Sequence, residues 1–441
     1  MAMPRIGLLV VGHPDYPNQV GLRMAETAMK ALKAQGAEFI YGGQVVLRPW
    51  EAAAQARQFA AGSVDGVIVF FATWIEAPTA IAAIREVEHL PIAIWGFPMY
   101  GPGRSESTGS FVAYAVVKAT LERMGQSFVG LAGAVDDEAV LQRAHAFCLA
   151  AATKQRLKRA RLGLIGYASM GMYSGTFDHA LLRSTMGPEV DQVDTYTLVR
   201  RAESYTPQAY QGVVAALHQK ARITDGVREQ QLEKAARLYL ALRDLAQERH
   251  WEAANVKCQY ELSQEYGMTA CIPLSLLADE GLVAGCEGDV LTTVTQLVFH
   301  YLTGKPIYYG DLLDLYQGSA LFSSCGMAPF SLADEEGVEI QDIGFPGFCG
   351  VVSSLALCPG DVTYAQLAEK AEGYILNYGT GLGVKTGLRQ GRFPALSVQL
   401  AGDPERLLAS LSGQHFAIAY GDLSRFLEML VLLLQTSAFK V

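Results

Sequence analysis

Asp65-Gly66-Val67-Ile68-Val69-Phe70-Phe71 is a turn followed by five apolar residues in unbroken succession. A run this short, β-branched and free of polar alternation reads as a strand buried on both faces. The same pattern recurs around it. Residues 6–11 (IGLLVV) end in Gly12-His13-Pro14, residues 91–96 (PIAIWG) end in glycine, and Val45-Val46 opens another short strand. Between them, residues 19–35 and 52–61 carry apolar side chains at helical spacing. Strands apolar throughout, alternating with amphipathic helices, predict a parallel sheet covered on both faces. Ligands of such sheets sit beyond the carboxyl ends of the strands. That places His13, Thr73, Trp74, Pro98 and the loop 101–104 near an opening. Gly101-Pro102-Gly103 reads equally well as a plain turn.

Further along, residues 154–161 (KQRLKRAR) are basic without interleaved aromatics, which reads as a domain boundary rather than a nucleic-acid patch. Leu162-Gly163-Leu164-Ile165-Gly166 then restarts the strand-then-loop pattern, and a second α/β unit begins. The loop 167–175, which contains Met170, suits either approach to a small ligand or a flexible connection. Residues 230–250 form a long charged amphipathic helix, and residues 292–302 a helix that leaves Glu287 at a strand-to-helix junction. From Lys305 the apolar segments shorten and glycines punctuate them, which predicts a β-rich barrel or sandwich. Residues 423–435 are expected to form an apolar helix docked on that preceding unit. The expected domains are 1–158, 159–305 and 306–441: two Rossmann-like α/β domains followed by a β-barrel-like one.

With 441 residues the chain is too long for one core. A net charge of −9 argues against nucleic acid as a partner. No run of about 18 uncharged apolar residues exists to span a membrane. The N-terminal residues pass directly into a strand-like run, so a cytoplasmic location is expected. Seven scattered cysteines read as reduced thiols, and with no Cys-x-x-Cys pair a thiolate zinc site is not expected.

Three chemically distinctive positions lie in the last third of the chain. Glu287 sits in Gly285-Cys286-Glu287-Gly288-Asp289, Asp311 in Tyr309-Gly310-Asp311, and His415 in Gly413-Gln414-His415. Two carboxylates and an imidazole beside glycines form a hard, mixed ligand set that suits Mn²⁺ or Mg²⁺ better than a structural zinc. Singly, each reads as a solvated loop acid or a core histidine. Asp289 is either a helix cap or an acceptor that orients a ligand. Lys385, Arg389 and Arg392 form a basic cluster, either a solvated loop or a site for a sulfonate, phosphate or carboxylate on a substrate.

Taken in order, Leu162-Gly163-Leu164-Ile165-Gly166, Cys286-Glu287-Gly288-Asp289, Gly304-Lys305-Pro306 with Asp311, Ser324-Cys325-Gly326-Met327-Ala328-Pro329, and Gly413-Gln414-His415-Phe416 with Gly421-Asp422 resemble the L-fucose isomerase and L-arabinose isomerase superfamily. The resemblance runs through most of the chain. It implies two α/β domains, the first flavodoxin-like, then a β-barrel-like domain. It implies aldose–ketose interconversion of a fucose- or arabinose-like or anionic sugar through a cis-enediol, with Mn²⁺ (alternatively Mg²⁺ or Co²⁺). It also implies trimers or hexamers whose sites lie between subunits. Matched by motif, Glu287 and Asp311 are the catalytic and metal-binding carboxylates and His415 the third metal ligand. His13, Trp74, Met170, Gln414, Arg389 and Arg392 are the candidate substrate contacts. Ser324 stands where many relatives have a histidine, which favours three ligands over four, and Gln414 replaces the first of a histidine pair. A non-catalytic sugar-binding protein, or an epimerase on the same scaffold, is the alternative.

Overall fold

The computed structural model describes residues 3–98, 107–387 and 392–441. The chain divides into two compact units, Met1–Arg156 with Arg425–Gln435, and Leu157–Ser424 with Thr436–Val441. The break falls within the basic stretch expected to mark a boundary. The loop 101–104 and Arg389 lie outside the described residues.

The first unit holds strands β1 (Arg5–Val11), β2 (Glu38–Tyr41), β3 (Gly66–Phe71), β4 (Ile92–Gly96) and β5 (Val129–Ala132). They form one parallel sheet in the order β2-β1-β3-β4-β5, the order of a doubly wound sheet. Every residue of β3 is buried, as its unbroken apolar run requires. The helix Asn18–Ala34 approaches this sheet closely at Gly21, where a Cβ would lie 2.2 Å from the Ala72 carbonyl oxygen. Two expectations are corrected. The second strand is β2, and Val46 makes only an isolated bridge to Val11. As an edge strand with no fully buried residue, β2 lacks the apolar run that marks its neighbours. The helix Ser424–Leu434 belongs almost entirely to this first unit rather than to the β-rich segment that precedes it. An apolar helix face does not state which surface it covers.

In the second unit, strands β6 (Arg161–Ile165), β7 (Glu189–Val193), β9 (Ala253–Val256) and β10 (Val283–Cys286) form a parallel sheet ordered β10-β9-β6-β7. The short β8 (Arg222–Ile223) pairs elsewhere. The remaining strands are β11 (Tyr308–Tyr316), β12 (Ser319–Ser323), β13 (Glu339–Asp342), β14 (Val351–Ser354), β15 (Gly360–Lys370), β16 (Gly373–Val384), β17 (Ala395–Leu400), β18 (His415–Tyr420) and β19 (Ser437–Lys440). Strands β8, β13 and β14 make a small sheet. The pairing of β15 with β16 closes β15-β18-β11-β12-β17-β16 into a six-stranded barrel. Phe322, Tyr364 and Phe416 pack edge-on or tilted inside it, with centroids 5.5–6.2 Å apart. One continuous apolar core joins sheet and barrel within this unit. Among the described residues, no helix is long and apolar enough to cross a membrane.

Candidate active site

Glu287 follows β10 directly, and its backbone is left-handed, with φ of +61°. A non-glycine residue there costs roughly 1–2 kcal/mol, and such strain persists only where surroundings hold it. Several bonds hold it here. Glu287 N–H donates to the Val256 carbonyl at 3.1 Å, and its own carbonyl accepts from Ser169 N–H at 3.0 Å. The buried amide of Asn255 accepts from Gly288 N–H at 2.8 Å and donates to the carbonyls of Cys286 and Asp289. Gly288, also left-handed, must be glycine because a Cβ would lie 2.3 Å from the Tyr167 carbonyl oxygen.

Asp289 caps a helix and also meets His415. Its Oδ1 accepts from Thr292 N–H at 2.9 Å, capping the helix Val290–Thr303, while its Oδ2 lies 2.8 Å from His415 Nδ1. Asp311 on β11 is directly opposite His415, the first residue of β18, in the antiparallel register. Side chains so placed on one face of a sheet are neighbours.

These elements bring the three motif residues together. His415 Nε2 lies 3.4 Å from Glu287 Oε2 and 3.3 Å from Asp311 Oδ1. The Gln414 amide lies 3.2 Å from the same nitrogen, and the Tyr309 ring stacks at a tilt 4.8 Å from the imidazole. Glu287 and His415 are buried. Burial pushes the Glu287 carboxyl up to about 7, with His415 opposing and Cys325 and Asp311 adding to the rise. Burial alone would depress His415, but hydrogen bonds to Asp289, Asp311 and Glu287 hold it well above its ordinary value. Three carboxylates around one imidazole therefore favour positive charge at this point. A divalent cation satisfies that demand with the oxygen and nitrogen donors it prefers.

Beside the cluster is a cavity of about 270 Å³ lined by Met170, Gln259, Glu287, Cys325, Phe345 and Phe348, among others. The Gln259 Oε1 is buried without a protein partner, which leaves it available to a ligand hydroxyl. Met170 lines this cavity from a left-handed backbone with φ of +46°. His13 and Trp74 meet edge-on in the first unit, 5.2 Å between centroids, with Tyr16 stacked on Trp74. Arg392 pairs with Glu339 at 2.5 Å and Lys385 with Asp334 and Glu336. Sequence reasoning missed Gln259, Tyr309, Phe345 and Phe348. Tyr309 stood inside the Tyr309-Gly310-Asp311 motif without being given a role, and no motif marks Phe345 or Phe348.

No family model matches the chain. Curated relatives do. A sulfoquinovose isomerase from Clostridium sp. (strain MSTE9) is 26% identical over 254 residues, 57% of each chain. One from Alkalicoccus urumqiensis is 23% identical over 375 residues, 82% of each. One from Priestia aryabhattai is 21% identical over 429 residues, 95% of this chain and 94% of the relative. The match therefore spans just over half of the first relative and most of the others. Likeness to solved structures is slight: a conserved domain protein from Vibrio cholerae gives a TM-score of 0.20 at 14% identity, over 58% of this chain and 74% of that one.

A strained, buried acid facing a second acid and an imidazole beside a cavity is the construction of an enzyme. The matched relatives are sugar isomerases, a class of intramolecular oxidoreductase.

Proposed function

We propose that the chain interconverts an aldose and its ketose with a divalent cation, Mn²⁺ before Mg²⁺ or Co²⁺, and that its substrate is a sulfonated hexose of the sulfoquinovose kind. The cation reading is carried by one observation, the Glu287 and Asp311 oxygens meeting at a single ring nitrogen of His415. The substrate reading is carried by the names of the relatives. It lies within the expectation of an anionic sugar on an L-fucose isomerase-like scaffold. Assembly into a homo-oligomer belongs to the same reading.

Glu287, Asp311 and His415 Nε2 would hold the cation, and Asp289 would fix the imidazole with its proton on Nδ1. When bound, the cation would polarise the sugar's carbonyl and adjacent hydroxyl oxygens. Proton transfer between neighbouring carbons then falls to the carboxylates. Burial brings Glu287 close to neutrality, where a group can both take and return a proton. Asp311, part-exposed on the barrel strand, is the complementary acid. Gln259 Oε1 would accept a hydrogen bond from a sugar hydroxyl, and the Phe345 and Phe348 side of the cavity would exclude water from the enediol.

The test is incubation with sulfoquinovose, glucose, L-fucose or L-arabinose and Mn²⁺ in deuterated water. Ketose formation from the sulfonated sugar with deuterium gained at C1 or C2 supports the proposal. Turnover of only the uncharged sugars removes the substrate reading, and exchange with inverted stereochemistry but no ketose makes the enzyme an epimerase.

A further inference from the structure

Glu287 has two faces. Its Oε2 is turned to His415, whereas its Oε1 accepts from the Cys325 thiol at 3.6 Å. Behind Cys325 the fold gathers three more thiols. Cys286 ends β10, Cys258 lies two residues past β9, and Cys271 is the first residue of the helix Cys271–Asp279. The Cys258 and Cys325 thiols each lie in interaction range of those of Cys271 and Cys286, which links the four side chains in a ring. All four are free, and Cys258, Cys271 and Cys286 are buried. One sulfur each from Cys286 and Cys325 and a Glu287 oxygen lie within 4.8 Å of one another. Cys258, Cys271 and Cys325 line the same cavity as Glu287, which gives an ion a route to the ring.

Buried thiols are ordinarily inert small hydrophobes spread through a core. Four brought together from positions 258 to 325 around a carboxylate are a soft donor set, unlike the hard set on the other face of Glu287. A tetrahedral zinc with Zn–S of about 2.3 Å holds its sulfurs about 3.8 Å apart, against the 4.8 Å within which the Cys286 and Cys325 sulfurs and a Glu287 oxygen lie. The spacing of these cysteines along the chain gives no sign that they lie together; tertiary structure brings them to one cavity and its edge.

We propose that Cys258, Cys271, Cys286 and Cys325, with Glu287 at the edge, form a second cation site for a thiophilic ion such as Zn²⁺ or Cd²⁺. Each thiol that ligates releases its proton to solvent. Occupation draws Glu287 Oε1 toward sulfur and so withdraws Oε2 from His415. Soft ions therefore inhibit by disabling a carboxylate of the hard site.

The test is titration of the full-length, reduced, metal-free protein with Cd²⁺, followed by ultraviolet sulfur-to-cadmium charge-transfer absorption. This signal reads the thiol site whether or not the chain turns over a sugar. The expected result is one tightly bound Cd²⁺ per chain with a thiolate band. Loss even of an outer partner of a metal ligand weakens metal binding about tenfold or more, so Cys258→Ser and Cys271→Ser should weaken the band's titration by at least that factor. Cys349→Ser, at an exposed cysteine outside the ring, should leave the band unchanged. X-ray absorption at the cadmium edge of the wild-type protein needs no variant to fold. Two or more sulfurs in the first shell support the proposal, and a shell of oxygen and nitrogen alone overturns it. Loss of thiols in pairs on exposure to air, with no cadmium band, would mean a disulfide pair instead and also overturns it.

Discussion

Asp289 Oδ2 lies 2.8 Å from Nδ1 of His415, bridging 126 positions of sequence, while Oδ1 of the same carboxylate caps a helix. An ionised carboxylate only accepts, so Nδ1 carries the proton and Nε2 turns its other valence toward Glu287 and Asp311. One side chain thus ties the start of the Val290–Thr303 helix to the start of a barrel strand. It also sets the tautomer of the histidine between them.

Substituting Asp289 separates these two duties. Asparagine caps a helix about as well as aspartate, so Asp289→Asn should unfold within a degree or two of wild type. The lost charge on Nδ1 should weaken Mn²⁺ binding about 10–100-fold, read by the electron paramagnetic resonance of free Mn²⁺. Asp289→Ala should show the same weakening plus roughly 1 kcal/mol of lost stability. Unchanged Mn²⁺ affinity in the asparagine variant would remove the orienting role.

Glu287→Gln and Asp311→Asn should each keep the wild-type circular dichroism spectrum and lower kcat by at least about 10²–10⁴-fold. Mn²⁺ at a hundred times its Kd should stabilise the wild-type protein by about 2.7 kcal/mol. Asp311→Asn should lose most of that gain, since its oxygen is one of the two carboxylate oxygens that meet at His415 Nε2. A thermal shift with Mn²⁺ that persists undiminished in Asp311→Asn would place the cation elsewhere.

Gly288→Ala introduces two faults at one residue. Its φ of +74° is left-handed, and the new methyl would press on the Tyr167 carbonyl at 2.3 Å. The first costs about 1–2 kcal/mol and the second displaces the neighbouring Glu287. The variant should melt at lower temperature and bind Mn²⁺ more weakly, both visible in one calorimetric series with and without the ion.

Glu287, Asp311 and His415 were legible because each sits in its own glycine-bearing motif, and the pairing of Asp311 with His415 follows once β11 and β18 are adjacent. The parallel strands were legible for a related reason: burial on both faces leaves unbroken apolar runs such as residues 67–71. Edge strand β2 carries no such run. The hairpin of β15 and β16 closes the barrel, yet glycines at 373, 379, 381 and 383 break the apolar run that would mark its second strand. Two of those glycines stand where a side chain would strike the neighbouring strand, Gly379 against the Tyr364 hydroxyl on β15 and Gly381 against the Gln399 carbonyl on β17. The thiol ring and the pairing of Arg392 with Glu339 were invisible because no local spacing records either. They are products of tertiary packing.

The last test concerns Asn255, which is fully buried at the end of the central strand β9. Its Nδ2 donates to the Cys286 and Asp289 carbonyls and to Thr293 Oγ1 at 2.8 Å, and its Oδ1 accepts from Gly288 N–H. Every group it satisfies belongs to the segment that strains Glu287 into place. Asn255→Ala orphans them, at about 1–3 kcal/mol for each that finds no water. Asn255→Asp keeps the shape but turns an acceptor toward two carbonyls in a dry site. Burial and missing donors raise the pKa of such an acid in the folded state above its unfolded value. The folded form then holds its proton more tightly, so stability should fall as pH rises through and above the ordinary carboxylate range. Urea midpoints at acid and neutral pH should diverge for Asn255→Asp relative to wild type, with the larger deficit at neutral pH. Equal deficits at both would mean that water or a shifted backbone has already replaced the amide, and that Glu287 keeps its left-handed turn without it.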